Sequence, residues 1–257
     1  MINPKEKCAV FLDIDGTLIS DSFKIPEENK RAIAAAREKG HMVFINTGRS
    51  WGNIPPELHA QFDVDGIIAG NGAMISMGGE TVWKISMSPS LVKRVVEFAF
   101  AHTGYWYLFE GYKHIYTVTN DGHYASYQIP IEKPEDVEKI FEDDEIQVLA
   151  MGVKVPEDFI EEFSEEISVF QFETYADCVV KGINKATGIQ KVLELTGIKR
   201  ENTIAMGDSN NDMHMLKYAA VGVAMANSQQ SILDIADDVT ASAKECGVAK
   251  AIEKYLL

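Results

Sequence analysis

The sequence predicts an α/β protein built on a doubly wound parallel sheet, and three observations lead to this prediction. Short apolar runs alternate with amphipathic helical segments in both terminal parts of the 257-residue chain. Short connections join these segments, which is typical of a parallel sheet covered by helices. Polar residues rich in Asp, Thr and Gly follow several of the apolar runs, at the sheet edge where ligands bind in such folds.

The N-terminal part contains the first elements of this sheet. Residues 8–12 and 41–46 are apolar runs of strand length, and residues 66–69 form a third. Between the first two, Pro26 opens a helical pattern that closes at Gly40, with acidic residues near its start and basic residues near its end. Early proline, late glycine and this charge order are typical of a capped helix.

The C-terminal part repeats the pattern. Its predicted elements are a helix capped by Asn184 and running to Leu195, a strand over 203–206, a helix over 212–218 and a strand over 221–225. We therefore expect residues 1–80 and 182–257 to form one doubly wound domain.

The middle of the chain, residues 81–181, has a different pattern. Predicted strands cover 82–87, 105–109, 115–118, 148–153 and 169–172, and predicted acidic helices lie near 135–142 and 157–166. Paired strands with separate helices favour an α+β module inserted into the first domain. Gly78-Gly79 and Lys181-Gly182 are either its hinges or simple turns.

Composition excludes several classes of partner. The net charge of −15 argues against nucleic acid and anionic membranes, since both are polyanions. Three cysteines without a CxxC spacing favour neither a disulfide framework nor a zinc site. The N-terminal apolar run is broken by Asp13, which makes it too short for a signal peptide or a membrane span. We expect a soluble cytoplasmic protein.

Asp13 and Asp15 follow the first predicted strand. Residues two apart on an extended chain point the same way, so both carboxylates leave the strand end together. Such a pair persists only if a cation lies between the two or one is protonated. Carboxylate oxygens suit Mg²⁺. The alternative is an ordinary Asp-Gly turn.

Two further segments carry groups suited to an anion. Thr47 and Gly48 follow the second strand, where a hydroxyl and a backbone N–H can bind a phosphate oxygen or simply cap the strand. Lys185 lies in the first turn of a predicted helix, where the helix dipole disfavours a cation. An anion must therefore compensate its charge, whereas Lys181 is expected to be solvated.

The segment Met206-Gly207-Asp208-Ser209-Asn210-Asn211-Asp212 follows another predicted strand. Asp208 and Asp212 are four residues apart and can bracket one turn at a helix start. Capping explains one of these acidic residues. It does not explain a further acidic cluster at the same sheet edge as Asp13 and Asp15.

In this order and spacing, the four segments resemble the four motifs of the haloacid dehalogenase (HAD) superfamily. The Cof-type subgroup, with a type IIB cap inserted between the second and third motifs, is the most similar. The resemblance implies a catalytic core over 1–80 and 182–257 and a substrate-specificity cap over 81–181. The late segment Val239–Val248 departs from the acidic loop of this subgroup, which leaves the role of residues 241–246 open.

The resemblance also implies roles for single residues. Asp13 is the nucleophile that forms an aspartyl-phosphate, and Asp15 is the general acid and then the base. An acid at this position is typical of phosphatases and mutases of the superfamily. The phosphate-binding residues are implied to be Thr47, Gly48, Lys185 and Asn211. The resemblance implies that Asp13, the backbone carbonyl of Asp15 and Asp208 bind Mg²⁺, and that Asp212 supports these ligands without binding the ion.

Aromatic residues are dense in the predicted cap. They are Tyr105, Trp106, Tyr107, Phe109, Tyr112, Tyr116, Tyr124 and Tyr127. Packing of a small sheet explains them, and the alternative is that some line a substrate face with His114 or His123. Arg49 and Arg94 are either substrate contacts or surface charges. The acidic run 142–145 is expected to be a solvated turn.

These observations together predict a Mg²⁺-dependent phosphatase acting on a small phosphorylated metabolite, a sugar phosphate above all. A phosphomutase is the nearest alternative, and it needs cations on the cap for a second phosphate. A non-catalytic phosphate-responsive binding protein is the alternative from another class. We expect a monomer or a weak homo-oligomer.

Overall fold

The computed structural model of the protein describes residues 2–118, 124–152 and 154–257. Its strands are β1 (Ala9–Leu12), β2 (Met42–Asn46), β3 (Gly66–Ala69), β4 (Met74–Met77), β5 (Glu80–Lys84), β6 (Tyr107–Gly111), β7 (Ile115–Val118), β8 (Gln128–Ile131), β9 (Ile146–Gly152), β10 (Ile167–Gln171), β11 (Tyr175–Val180), β12 (Thr203–Gly207), β13 (Val221–Met225) and β14 (Asp238–Thr240). Its α-helices are α1 (Glu27–Glu38), α2 (Pro56–His59), α3 (Pro89–Ala101), α4 (Asp136–Asp143), α5 (Glu157–Phe163), α6 (Lys185–Thr196), α7 (Met213–Tyr218), α8 (Gln230–Leu233) and α9 (Gly247–Leu256).

The chain forms two compact units. The larger unit comprises Met1–Gly48, Pro55–Trp83 and Asn184–Leu257, and the smaller unit comprises Arg49–Ile54 and Lys84–Ile183. None of the described helices combines the length and the apolar character that a bilayer crossing requires.

The larger unit is built on an eight-stranded sheet in the order β14-β13-β12-β1-β2-β3-β4-β5. The pairs from β14 to β3 are parallel, whereas β4 joins β3 antiparallel. The prediction of a doubly wound parallel sheet is confirmed, and the structure adds β4 and β5 at one edge. Gly78 and Gly79, both at positive φ, form the turn between these two strands. This glycine pair is therefore a turn within one sheet.

Helices cover both faces of this sheet because its strands are apolar on both sides. On one face, Phe11 of β1 stacks on Phe44 of β2 at 5.3 Å between ring centroids and packs with α6, α7 and α8. The other face is covered by α1 and α9, which contact each other. Buried Asn29 fixes this contact, since its side chain accepts the N–H of Ala249 and donates to the carbonyl of Leu18.

The smaller unit is an α+β arrangement. Its six-stranded sheet has the order β10-β11-β9-β6-β7-β8, antiparallel except for the pair of β7 and β8. Helices α3, α4 and α5 pack on one face, and Tyr107, Phe109 and Tyr116 point into that buried layer. For these three aromatic residues, the packing interpretation is therefore the correct one.

In this region one sequence-based expectation is wrong and one element was missed. The strand expected over 82–87 occurs as β5, which lies in the sheet of the larger unit. Helix α3 was not expected, although Ser88 caps it through a bond from the N–H of Leu91 and Pro89 follows at its first position.

The acidic run 142–145 is not simply a solvated turn, because Asp144 is only 4% exposed. Its carboxylate accepts the backbone N–H groups of Tyr112, Lys113 and His114 at 2.8 to 3.1 Å and the hydroxyl of Tyr116 at 3.2 Å. Asp144 therefore fixes the turn between β6 and β7. The sequence does not show this role, because these donors lie far upstream of Asp144.

Asp144→Asn is expected to lower the free energy of unfolding of the smaller unit by about 2 kcal/mol, because an amide nitrogen cannot accept the turn's N–H groups. Asp143→Asn is the matched control, since Asp143 is exposed and forms a surface ion pair with Lys113. Chemical denaturation of the two variants measures the difference. Equal stabilities of the variants would contradict the role of Asp144.

Candidate active site

Polar residues follow three neighbouring strands of the larger sheet. Asp13 comes after β1, Thr47 after β2 and Asp208 after β12. The strands β12, β1 and β2 are adjacent and parallel, so their carboxyl ends lie at one sheet edge. The backbone N–H of Asp13 continues the ladder by donating to the carbonyl of Met206 at 3.0 Å. The fold thus brings these three motifs together.

Lys185 is the first residue of α6 and its side chain is fully buried. Asn184 caps this helix, accepting the N–H groups of Ala186 and Thr187 through its side chain. The Lys185 ammonium lies 2.5 Å from a carboxylate oxygen of Asp13 and 2.5 Å from one of Asp212. These two carboxylates are the anions that offset its charge.

The ion pair between Lys185 and Asp13 also changes the pKa values of these two groups. Burial disfavours the charged ammonium, but Asp13 and Asp212 outweigh it and raise the pKa of Lys185 above its usual value. Burial raises the pKa of Asp13 well above the ordinary carboxyl value, and Lys185 opposes that rise. The charged form of Asp13 therefore depends on neighbouring positive charge.

Asp212 is held on both of its oxygens. One oxygen binds Lys185, and the other accepts the backbone N–H groups of Asp208 and Ser209, both at 2.9 Å. Gly207 passes so close that a Cβ there would overlap the Asp212 side chain. The segment after β12 therefore closes around Asp212, which leaves that carboxylate poorly suited to bind a metal ion directly.

Asp13, Asp208 and Asp212 each place a carboxylate oxygen within 4.8 Å of the others. Burial, and then the charge of Asp212, raise the pKa of Asp208 to about 7. One ammonium does not neutralise three clustered carboxylates. A divalent cation held by Asp13 and Asp208 fits this donor set of hard oxygens.

Asp15 is exposed and its side chain lies outside this group of three. Its loop turns at Gly16, which has a φ of 80°. The next residue, Thr17, is buried and donates from its hydroxyl to Asp208 at 2.8 Å. Sequence reasoning missed Thr17, although a hydroxyl directly after an Asp-Gly turn is a usable signal.

Asparagines connect the phosphate-binding candidates. Asn211 donates to the side chain of Asn71 at 2.9 Å and accepts from Ser209 at 2.8 Å. The backbone N–H of Asn71 donates to the carbonyl of Thr47, and Asn46 donates to the carbonyl of Lys185 at 3.1 Å. Asn46 and Asn71 were not predicted. Asn71 has a left-handed φ of 54°, which only the fold reveals.

The loop 241–246, whose role the sequence left open, reaches the nucleophile loop through Asn227. The Asn227 side chain donates to the carbonyl of Gly16 at 2.9 Å and accepts the N–H of Ala243 at 2.9 Å. Within the loop, Ser242 and Glu245 form a capping box. The loop therefore supports the backbone beside Asp15.

Other candidates lie elsewhere. Arg94 pairs with Glu162 and Glu166, which makes it a surface charge of the smaller unit. Lys181 is exposed, as expected, and donates to the carbonyl of Ser164. His123 lies outside the described residues.

Comparison with known proteins assigns the family. A sequence model of haloacid dehalogenase-like hydrolases matches residues 10–252, which span all four motifs. The chain belongs to this family. The expected HAD superfamily hydrolase of the Cof type, an enzyme acting on phosphoric monoesters, is thereby confirmed.

Individual members of the HAD family are similar over nearly the whole chain. The 5-amino-6-(5-phospho-D-ribitylamino)uracil phosphatase YcsE of Bacillus subtilis is 31% identical, covering 96% of this chain and 95% of its own. The putative phosphatase YkrA of the same organism is 30% identical, covering 95% and 96%. The structure of the HAD subclass IIB sugar phosphatase BT4131 has a TM-score of 0.81 at 29% identity, covering 97% and 99%.

Lys185→Met is expected to destabilise this HAD protein by about 3 to 5 kcal/mol, because it leaves two buried carboxylates without their cation. Adding Asp13→Asn removes one of the uncompensated charges, so the double variant should regain part of the stability that Lys185→Met loses. Free energies of unfolding of the wild type, both single variants and the double variant measure the coupling. Strictly additive effects would contradict a direct ion pair.

Proposed function

We propose that the protein is a Mg²⁺-dependent phosphatase that hydrolyses a small phosphomonoester, with sugar phosphates as the leading class. The observation that carries this proposal is the buried Lys185 ammonium between Asp13 and Asp212, with Asp208 beside them. This cluster sets a nucleophilic carboxylate next to fixed positive charge. A phosphate dianion requires that charge before a carboxylate can approach it.

The similar proteins support the substrate class. YcsE acts, by its name, on a phosphorylated ribityl chain, and BT4131 is described as a sugar phosphatase. A phosphoglycolate phosphatase of Methanothermobacter thermautotrophicus is 26% identical over 96% of this chain. All three names describe small phosphorylated molecules, and two describe a polyol or sugar.

In the first step, a carboxylate oxygen of Asp13 attacks phosphorus and the bond to the leaving oxygen breaks. Asp15 donates its proton to that oxygen, which leaves as an alcohol. Lys185 and the Thr47–Gly48 turn hold the phosphoryl oxygens. The exposed position of Asp15 suits a group that must meet substrate and water in turn.

In the second step, Asp15 removes a proton from water, and the water oxygen attacks the phosphorus of the aspartyl-phosphate. The bond to Asp13 breaks, inorganic phosphate leaves and the carboxylate is regenerated. Two contacts hold the loop backbone directly after Asp15: Asn227 donates to the carbonyl of Gly16, and the hydroxyl of Thr17 donates to Asp208.

Asp13, Asp208 and the backbone carbonyl of Asp15 would hold Mg²⁺. The ion would supply charge neutralisation for the carboxylates and the phosphoryl group. Asp212 would support this site by fixing Lys185 and the backbone of Asp208.

A phosphomutase would need cations in the smaller unit for a second phosphate. Arg94, Lys84 and Lys113 are each paired with a carboxylate of that unit. Because these three cations are already paired, they do not offer a site for a second phosphate, which favours transfer of the phosphoryl group to water. The intact set of Asp13, Lys185 and Asp208 favours an enzyme over a binding protein without activity.

Asp13→Asn is expected to reduce phosphate release by at least about a thousandfold, because an amide cannot act as the nucleophile. The assay is a panel of phosphorylated metabolites with Mg²⁺, in which sugar phosphates should react fastest. Asp21→Asn is the control, since Asp21 is exposed and pairs with Lys244. A chelator should abolish turnover and Mg²⁺ should restore it.

Activity that survives Asp13→Asn would overturn the nucleophile assignment. Transfer of phosphate to a sugar would instead support the mutase. If the folded wild type released no phosphate from any compound of the panel, the result would support the non-catalytic phosphate-binding protein.

Asp15→Asn is expected to separate the two chemical steps. With an activated aryl phosphate, the leaving group needs no proton, so the first step continues while activation of water is lost. Rapid-mixing kinetics should show a burst of about one equivalent of phenol per enzyme, followed by slow turnover. Unchanged steady-state turnover would contradict the role of Asp15.

A further inference from the structure

The residues that follow the candidate phosphoryl-binding turn belong to a different unit from the turn itself. Thr47 and Gly48 belong to the larger unit, whereas Arg49–Ile54 pack with Lys84–Ile183 in the smaller unit. We call residues 49–54 the strap. The chain thus leaves the larger unit directly after the turn and returns to it at Pro55.

Glu110 of β6 binds the strap at two points. One carboxylate oxygen accepts the side-chain amide of Asn53 at 2.9 Å, and the other accepts the backbone N–H of Ser50 at 3.3 Å. Glu110 is only 6% exposed. Burial raises the pKa of Glu110, and the bonds from Asn53 and Ser50 oppose that rise.

Packing of the sheet does not require a carboxylate at this position. The register pairs Glu110 with Ile115 of β7 and Val148 of β9, both apolar and buried. Tyr107 and Phe109 belong to the layer under the helices, and the alternation of side chains puts Glu110 on the opposite face. A buried carboxylate among apolar neighbours is costly unless it is hydrogen-bonded, and Glu110 accepts hydrogen bonds from Asn53 and Ser50 of the strap.

Other contacts also hold the strap against the rest of the smaller unit. The N–H of Trp51 donates to the side chain of Gln147 at 3.4 Å, and the Trp51 ring is nearly parallel to that of Tyr112, 6.1 Å between centroids. Gly52 lies so close to the turn 111–114 that a Cβ there would be 2.9 Å from the Gly111 carbonyl oxygen. Asp144 in turn fixes that part of the smaller unit.

We propose that Glu110 is a positioning residue for phosphoryl binding, which fixes the Thr47–Gly48 turn by holding Ser50 and Asn53 of the strap. The inference rests on the proposed phosphatase function. Ser50 is two residues from Gly48, and consecutive Cα atoms are about 3.8 Å apart, so a displaced strap moves the turn directly. Small displacements of groups that orient a reacting phosphate are costly to the rate.

Glu110→Gln tests this role at nearly constant size, because its amide nitrogen must face one of the two strap donors. With p-nitrophenyl phosphate, kcat/KM should fall about tenfold and the inhibition constant of inorganic phosphate should rise by a similar factor. Thr117→Val is the matched control. Thr117 is equally buried in the neighbouring strand, and its hydroxyl donates to the carbonyl of Tyr107, away from the strap.

Asn53→Ala removes the same contact from the strap side while leaving Glu110 in place. Combined with Glu110→Gln, it should add little to the loss, because both substitutions break one interaction. This variant also keeps the test valid if Glu110→Gln does not fold.

Wild-type values of kcat/KM and of the phosphate inhibition constant in folded Glu110→Gln and Asn53→Ala would overturn the inference alone. An equal loss in Thr117→Val would also overturn it, since that result indicates a general disturbance of the sheet. Absence of turnover in the wild type would contradict the proposed function and this inference together.

Discussion

The buried ammonium of Lys185 is the interaction on which the rest of the site depends. It lies at a helix start, where the helix dipole opposes a cation, and it has no contact with solvent. The carboxylates of Asp13 and Asp212 offset this cost by pairing with the ammonium. The ion pairs therefore join the end of β1, the start of α6 and the segment after β12, which are far apart in the sequence.

The topology of the sheet explains why the sequence could predict which motifs meet at the candidate site. Parallel strands put their carboxyl ends at one edge, so residues that follow β1, β2 and β12 meet without any knowledge of side-chain contacts. The Asn184 cap and the position of Lys185 are likewise local features. Asn71 and Asn227 were not predicted because their partners come from distant loops, and no local pattern marks such pairs.

The smaller unit was less predictable for a physical reason. Helix α3 contains Val92, Val95 and Val96, and these β-branched residues favour strands, although their spacing fits a helix. Asp144 was expected to belong to an exposed acidic run. Its carboxylate instead accepts the backbone N–H groups of Tyr112 and Lys113, which lie more than thirty residues upstream. Tertiary contacts override local propensity in both cases.

The division of the chain at the strap limits how related proteins can exchange the smaller unit by recombination. The smaller unit is not one continuous insertion, because Arg49–Ile54 belongs to it as well. A transplant of residues 84–183 into a related enzyme would leave Glu110 and Gln147 facing a foreign hexapeptide. Recombination that preserves this architecture must carry both segments together, so the short segment and the long one are expected to be inherited as a single module.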